Sequence, residues 1–197
     1  MGRGKKERQY QFKPYFKEFV SKLQSNGNIK LNSDEMEAIY LMDYKAMYQE
    51  DAAALMGVSR PTLSRIIKDA RHKIASALVC GLDINIEDKK ENFTIACCID
   101  NKENPTSILP KDRYISILHI EKDKIKDIKY IENQSYDLRK RPGEVLPQIL
   151  EQENVNYFIT SKIGSGLKAA IFTKGIHVIM CDEFKSYQLI VEDILKL

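Results

Sequence analysis

Apolar residues follow one spacing in the first part of the chain and another in the second part. Up to about residue 81 they recur every three or four positions, as Leu63 and Ile67 do, which is the period of a helix with one buried face. Beyond about residue 92, short β-rich runs alternate with helical segments. The pattern predicts an α plus α/β chain, with a helical domain over 1–81, a linker over 82–92 and a mixed-sheet domain over 93–197.

The first domain is predicted to contain three or four helices. Aromatic and aliphatic residues over 12–23 have helical spacing, and a second helix begins at Asn32, where Glu35 completes a capping-box pattern. That helix is expected to end near Asp43 or Tyr44. The basic residues of 1–12 form an arm that either lies against phosphates or is a solvated tail.

Residues 49–66 have the order of a helix, a tight turn and a second helix. The segment 49–56 is rich in helix-forming residues, and Gly57 stands where the chain must turn. Ser59 is a favourable N-cap, and Pro61 in the first turn lacks only an N–H that a helix start leaves unbonded. This order predicts a helix-turn-helix whose second helix continues for several further turns.

The second helix of this motif would present a cationic, hydrogen-bonding face to solvent. The residues predicted to contact DNA from that face are Ser59, Arg60, Thr62, Ser64, Arg65 and Lys68. Such a face suits the major groove, where arginine binds guanine in a bidentate manner, so Arg60 and Arg65 are the expected base contacts. An ordinary helical hairpin with a solvated face is the alternative.

The distribution of charge agrees with a nucleic-acid partner. The net charge of the whole chain is only +3, but residues 1–81 carry 14 Lys and Arg against 9 Asp and Glu, a balance of +5. Residues 82–197 therefore have a balance of −2. The cationic excess that phosphate binding requires lies in the part with the predicted motif. We expect double-stranded DNA as the partner and, since DNA half-sites are commonly read in pairs, a homodimer.

Residues 12–81 resemble a small family of prokaryotic proteins of unassigned function. The segments that carry the resemblance include DEMEAIYLMD, MGVSRPT and ARHKIASAL. Members of that family carry a helix-turn-helix similar to the fourth region of bacterial sigma factors. The resemblance implies a DNA-binding domain with a role in the regulation of transcription. A sigma-like adaptor that contacts RNA polymerase is a further alternative.

The second domain is predicted to have the element order β-β-β-α-β-α-β-α. Three β-rich runs over 93–99, 114–121 and 125–131 come first, and the short interval at Asp123 and Lys124 predicts a hairpin between the second and third. Helical and β-rich segments then alternate. An antiparallel meander followed by α/β units gives a mixed sheet with helices packed on it.

A short apolar strand at 156–160 runs into a glycine-containing turn and a helix. Together with the element order, this feature resembles the domain that binds the iron–molybdenum cofactor or its precursors in nitrogenase assembly proteins, whose fold is ribonuclease H-like. The resemblance implies a ligand site, and in such sheets ligands lie at the carboxyl ends of the parallel strands. The candidate ligand-binding residues there are Cys97, Cys98, Gly164, Ser165 and Gly166.

The chemistry of these candidates leaves the ligand open. Thiolates suit an iron-containing cluster or another soft metal centre, and the N–H groups of the glycine turn suit an anion. Adjacent strand residues point to opposite faces, so Cys97 and Cys98 can reach one site only across a bulge. No cofactor is therefore specified, and the metal, if there is one, is unknown.

Neither catalysis nor a membrane is expected. Hydrolysis on a ribonuclease H-like fold needs clustered carboxylates, and Asp100 has only Asp182 as a counterpart at the predicted strand ends, so no catalytic residue is assigned. No apolar run is long enough to span a bilayer, and the charged N-terminus is unlike a secretory signal, so we expect a cytoplasmic protein.

Two functions from different classes follow from these patterns. The leading hypothesis is a DNA-binding transcriptional regulator whose second domain senses a ligand or pairs two chains. The alternative is a carrier or assembly protein for a metal cofactor, with a helical domain that binds protein rather than DNA.

Overall fold

A computed structural model gives the architecture of the chain. The residues that it describes are 10–14, 16–22, 24–88, 92–136 and 140–196. The chain divides into two compact units, Met1–Lys90 and Glu91–Leu197, each with its own core. Within the described residues, no helix combines the length and the apolar character that crossing a membrane requires.

The helices of the first unit share a small apolar core. Helix α1 is Ser33–Ile39 and continues as a π-helical turn over Tyr40–Tyr44, α2 is Gln49–Leu55, and α3 is Arg60–Cys80. The buried core residues that they share are Ala38, Leu41, Ala52, Ala53, Met56, Leu63 and Ile67. Three of the seven are alanines, which is what lets short helices approach one another closely.

Helix α1 begins with the predicted capping box. The Asn32 side chain accepts a hydrogen bond from the Glu35 backbone N–H, and a Glu35 carboxylate oxygen accepts one from the Asn32 backbone N–H, each at 2.9 Å. The same carboxylate oxygen lies 2.7 Å from the Lys73 ammonium on α3. Glu35, which is only 5% exposed, therefore fixes the start of α1 and ties it to α3.

The first unit also contains a small sheet that the sequence pattern did not predict. Strand β1 is Glu18–Phe19, β2 is Asn28–Leu31 and β3 is Asp83–Ile86, with β3 in the centre, antiparallel to β1 and parallel to β2. The predicted helix over 12–23 is thus wrong, since its described residues hold β1 and irregular chain. The predicted linker over 82–92 contains β3.

Backbone pairing with a distant segment explains why the helical spacing over 12–23 gave a wrong prediction. The Ile86 N–H donates to the Lys17 carbonyl at 2.7 Å, and the Ser21 N–H donates to a carboxylate oxygen of Asp83 at 2.8 Å. The aromatic and aliphatic side chains do not form a buried stripe, because Phe16 is 61% exposed and Val20 is 67% exposed.

The described end of the N-terminal arm is docked on α1. The Gln11 and Phe12 N–H groups donate to the two carboxylate oxygens of Glu37 at 2.8 and 2.9 Å, and Glu37 is 1% exposed. The Phe12 ring stacks on Tyr40 with the ring centroids 5.0 Å apart. Residues 1–9 of the predicted arm lie outside the described residues.

The second unit follows the predicted element order. Its elements are β4 Asn92–Ile99, β5 Tyr114–Glu121, β6 Lys124–Glu132, α4 Pro142–Gln152, β7 Tyr157–Thr160, α5 Ser165–Phe172, β8 His177–Met180 and α6 Tyr187–Leu195. The strand order is β6-β5-β4-β7-β8, antiparallel around β5 and parallel from β4 to β8. This confirms the predicted mixed-sheet, ribonuclease H-like α/β class.

The hairpin between β5 and β6 turns one residue earlier than predicted. Lys122 and Asp123 form the turn, with φ of 49° and 63°, and Glu121 pairs with Lys124. Two successive positive φ values give the backbone twist that matches two antiparallel strands, although neither residue is a glycine.

The two faces of the large sheet carry different packing. Cys98, Ile117 and Phe158 lie on the face that buries Leu146 of α4 and Ile171 of α5. Because side chains alternate along a strand, the residues next to them lie on the opposite face. Helix α6 covers that opposite face, and its buried residues are Ile190, Val191 and Ile194.

Candidate functional site

Helices α2 and α3 meet through a short turn whose geometry follows from single residues. Gly57 has a φ of 65°, in the left-handed region where glycine carries no steric cost, and it ends α2. Ser59 then caps α3, since its hydroxyl accepts from the Thr62 N–H at 3.4 Å. Ala53 of α2 is 4% exposed in the core that it shares with Leu63 of α3, where a larger side chain would have to displace buried neighbours.

Helix α3 has an apolar underside and a polar outer face. Leu63, Ile67 and Ala70 are buried at successive turns of the helix, at 3% exposure or less. Ser64, Arg65 and Lys68 lie on the opposite side of the helix and are exposed. We call these three residues together the outer ridge. The underside fixes the direction of the helix, so the ridge projects from a rigid support.

The six predicted DNA contacts do not all have the same surroundings. The Ser59 and Thr62 hydroxyl oxygens are 2.8 Å apart and bond to each other, so both belong to the cap of the helix. Arg60 is held by side chains of α2. Only the outer ridge, with Arg65 and Lys68 as its cations, has no side-chain partner within the described residues.

Arg60 is bound by two neighbouring residues at the start of α2. Its Nε donates to the Gln49 side-chain oxygen at 3.2 Å, and its Nη1 donates to Glu50 Oε1 at 3.0 Å. The pair is open to solvent, with 63% of the Arg60 side chain and 75% of the Glu50 side chain exposed. An ion pair this exposed contributes little stability and can open readily.

Sequence reasoning missed Gln49 and Glu50 as residues of this site. Glu50 lies in the first turn of α2, where the helix dipole alone accounts for a carboxylate, so its position did not indicate a contact with Arg60. The approach of α2 to the first turn of α3 is a tertiary contact, which the local sequence pattern does not predict.

The cysteine candidates in the second unit are enclosed and face apart. Both thiols are fully buried; Cys98 lies in the core under α4 and α5, whereas the Cys97 sulfur is 3.0 Å from the Ser116 hydroxyl on the opposite face. Burial raises the pKa of the Cys97 thiol to about 12, and the hydrogen bond with Ser116 offsets this only in part. Burial also raises the pKa of the Cys98 thiol well above its ordinary value.

The glycine turn is exposed to solvent, whereas the two cysteines are buried. Gly164 is the N-cap of α5, and Gly164, Ser165 and Gly166 are all exposed. A Cβ added at Gly164 or Gly166 would meet nothing within 4 Å, so packing inside the chain does not require glycine at either position. The structure therefore does not bring this turn and the two thiols into one open site.

Asp100, the carboxylate considered for catalysis, organises the loop after β4. One of its oxygens accepts from the Thr106 and Ser107 N–H groups at 2.9 and 3.1 Å, and the other accepts from the Thr106 hydroxyl at 2.6 Å. Partial desolvation raises the pKa of Asp100, but these hydrogen bonds outweigh it and lower the pKa to about 2. Asp112 binds the other side of the same loop, through Ser107 and Leu109.

The surroundings of Cys97 and Cys98 can be compared with what the protein ligands of a metal cluster require. Cysteine binds metals as the thiolate, whereas both thiols of β4 are buried and have raised pKa values. Within the described residues, no three His, Cys, Asp or Glu side chains converge as a metal site would require. The residues present do not fit a cluster bound through Cys97 and Cys98.

The two units match two different families. Residues 1–92 match a family described as a protein of unknown function, DUF134, and residues 109–197 match the dinitrogenase iron-molybdenum cofactor family. The fold and these matches define a two-unit protein in which a helical unit precedes a cofactor-family α/β unit. The chain belongs to the UPF0251 family of uncharacterised proteins, as its relatives show.

The similarity to these relatives lies in the first unit. A UPF0251 protein of Chlorobaculum tepidum is 49% identical over 78 residues, which cover 40% of this chain and 50% of that protein. A UPF0251 protein of Ruminiclostridium cellulolyticum is 42% identical over 87 residues, covering 44% of this chain and 68% of that protein. The chain spans about half the length of the first curated relatives it matches.

A solved structure is similar to part of the chain as well. The apo form of the orange protein from Desulfovibrio gigas aligns with a TM-score of 0.45 at 17% sequence identity, covering 52% of this chain and 87% of that protein.

Proposed function

We propose that this chain is a DNA-binding regulator of transcription, a binding protein rather than an enzyme. The first unit would bind double-stranded DNA by placing the outer ridge of α3 in the major groove. The second unit would sense a ligand or pair two chains. The UPF0251 family has no assigned function, so the proposal depends on the site itself.

The observation that carries the proposal is the condition of Arg65 and Lys68. Both are exposed on a helix whose underside is locked by buried Leu63 and Ile67, and neither has a side-chain partner within the described residues. Arginine and lysine supported in this way can bind guanine edges and phosphates without first breaking internal bonds. The helix, turn and helix arrangement supplies the narrow, convex shape that fits a groove about 12 Å wide.

Pairing of two chains would complete this mode of binding. Regulators of this kind read two half-sites about 34 Å apart, one helical turn of DNA, so each recognition helix needs a second copy at a fixed distance. We propose that the second unit provides this contact or controls it through a bound ligand. A homodimer in solution, measured by light scattering, is therefore expected.

The test is selection of DNA by the full-length protein. Purified protein is mixed with a pool of genomic fragments, and the bound fragments are sequenced and measured by band shift at several salt concentrations. A regulator selects a restricted set of fragments with strong salt dependence. Recovery of no fragment above background would overturn the proposal.

Two variants locate the interface on the selected fragment. Arg65→Ala should weaken binding by about 1–3 kcal/mol, or roughly five- to 150-fold, and relax the preference for that fragment. Lys22→Ala removes the same charge from an exposed position outside α3 and should have a much smaller effect. Unchanged affinity of Arg65→Ala would show that the ridge is not the reading surface.

The family match of the second unit supports one other function. A carrier or assembly protein for a metal cofactor would use residues 109–197 to hold the cofactor and the first unit to bind another protein. Anaerobic purification followed by iron and molybdenum analysis and a visible spectrum tests this function. A coloured protein with stoichiometric metal would favour the carrier, and a colourless, metal-free protein that binds DNA would favour the regulator.

A further inference from the structure

Helix α3 starts with a cation at the end of the helix where a cation is least favourable. Arg60 is its first residue, and its first turn contains no acidic side chain. The N-terminal end of a helix carries a partial positive charge, so carboxylates are normally favoured there. In this structure the missing negative charge is supplied from α2, by Glu50.

Two of the three guanidinium nitrogens of Arg60 are bound by acceptors on α2. Gln49 and Glu50 are consecutive residues, and each presents one oxygen to a different nitrogen of the same guanidinium, at 3.2 and 3.0 Å. Guanine O6 and N7 accept from two parallel N–H groups of an arginine, either Nε with Nη2 or Nη1 with Nη2, so each of these contacts needs one nitrogen that Gln49 or Glu50 already binds. In the free protein, side chains of α2 thus accept from Arg60 nitrogens that a guanine would need as donors.

We propose that Glu50 is a specificity-determining residue that competes with DNA for Arg60. On a duplex without a correctly placed guanine, Glu50 competes with the phosphates for Arg60 and reduces what Arg60 adds to binding. On the cognate site, a guanine offers two acceptors at once and displaces Gln49 and Glu50. This inference rests on the proposed DNA-binding function and extends it by naming how one contact is made selective.

Removal of the Glu50 charge separates these states. Glu50→Gln keeps the size of the side chain and frees Arg60 to bind any phosphate. Affinity for a duplex of scrambled sequence should then rise about fivefold, and the slope of log affinity against log salt should steepen by about 0.9, the value for one additional phosphate contact. The selected fragment should gain less, because Arg60 already contacts its guanine, so the specificity ratio should fall.

Asp51→Asn is the matched control. Asp51 is adjacent to Glu50 in the same helical turn, is exposed, and has no side-chain partner within the described residues. The substitution Asp51→Asn removes the same charge without freeing Arg60, so the affinity for both duplexes should rise little and by similar factors. In the double variant Glu50→Gln, Arg60→Ala, the gain on the scrambled duplex should disappear.

The experiment uses the full chain, a fragment selected from the genomic pool and its scrambled counterpart, titrated by fluorescence anisotropy. If wild-type protein binds neither duplex, the proposed function fails and this inference fails with it. If wild-type protein prefers the selected fragment but Glu50→Gln leaves the specificity ratio unchanged, or matches Asp51→Asn, the regulator stands and the role of Glu50 is wrong. Persistence of the gain in the double variant would also overturn that role.

Discussion

The carboxylate of Glu35 offers a sharp test of how the first unit is held together. In Glu35→Ala, the Asn32 N–H loses its acceptor and the Lys73 ammonium loses its carboxylate partner. Loss of the capping hydrogen bond costs about 1 kcal/mol. Breaking a fully buried ion pair costs about 3–5 kcal/mol, but Lys73 is 31% exposed and keeps the Lys30 carbonyl at 2.8 Å, so we expect about 1–2 kcal/mol here.

The expected total for Glu35→Ala is therefore about 2–3 kcal/mol, confined to the first unit. Amide hydrogen exchange with mass spectrometry resolves the two units in the intact chain, because peptides from α1 and from β4 are read separately. Amides of α1 and α3 should exchange about 30- to 150-fold faster, since each 1.4 kcal/mol corresponds to a factor of ten. Amides of β4 should not change.

Two further variants decide whether the reasoning is correct. Glu35→Gln keeps an acceptor for the Asn32 N–H but loses the charge, so it should cost about half as much as Glu35→Ala. Asp69→Ala, at an exposed position on α3, should stay within about 0.5 kcal/mol of wild type. Wild-type exchange in Glu35→Ala, or equal losses in the alanine and glutamine variants, would refute the assignment of two separate contributions.

Three other predictions concern the second unit. The pKa of Asp100 is about 2 in the folded protein against an ordinary 3.8, so its stabilising effect is complete above about pH 4 and is lost as the pH falls towards 2. After discounting for solvent exposure this effect is about 1 kcal/mol, measured as a difference between wild type and Asp100→Ala that shrinks across that interval in denaturant titrations. Replacing the turn by Asn-Gly, with Lys122→Asn and Asp123→Gly, should lower the steric cost of the two positive φ values. We expect the melting temperature to rise by roughly 5 °C in calorimetry. An aromatic disulfide reagent should label exposed Cys80 in the native protein, whereas the two cysteines of β4 should react only after denaturation.

The parts of the fold that the sequence predicts are those set by local chemistry. The capping box at Asn32, the Ser59 cap and the strands of the second unit are each encoded by neighbouring residues, and all are confirmed. The hairpin turn was predicted one residue too late, because Lys122 adopts a positive φ that its residue type does not predict.

The parts that escape prediction depend on contacts between distant segments. Strand β1 forms because residues 18 and 19 pair with Asn85 and Ile84, and the local spacing of apolar residues does not predict that pairing. The alternation over Asp83–Ile86 was itself a β signal, hidden by its position after a long helix. In the candidate site, the outer ridge followed from helical period alone, whereas the bonds of Arg60 to α2 required the turn to be built.

The parallel pairing of β2 with β3 has a consequence for any attempt to isolate the first unit. Lys30 lies opposite Asn85, so the chain before α1 is joined to the chain after α3 across more than fifty intervening positions. Cutting at Gly81, where the helical pattern ends, would strip β2 and β1 of their shared neighbour and leave their edges open to self-association. A fragment continued through Asp88 would keep that neighbour and the 2.8 Å ion pair between Lys13 and Asp88, and should remain monomeric where the shorter one aggregates.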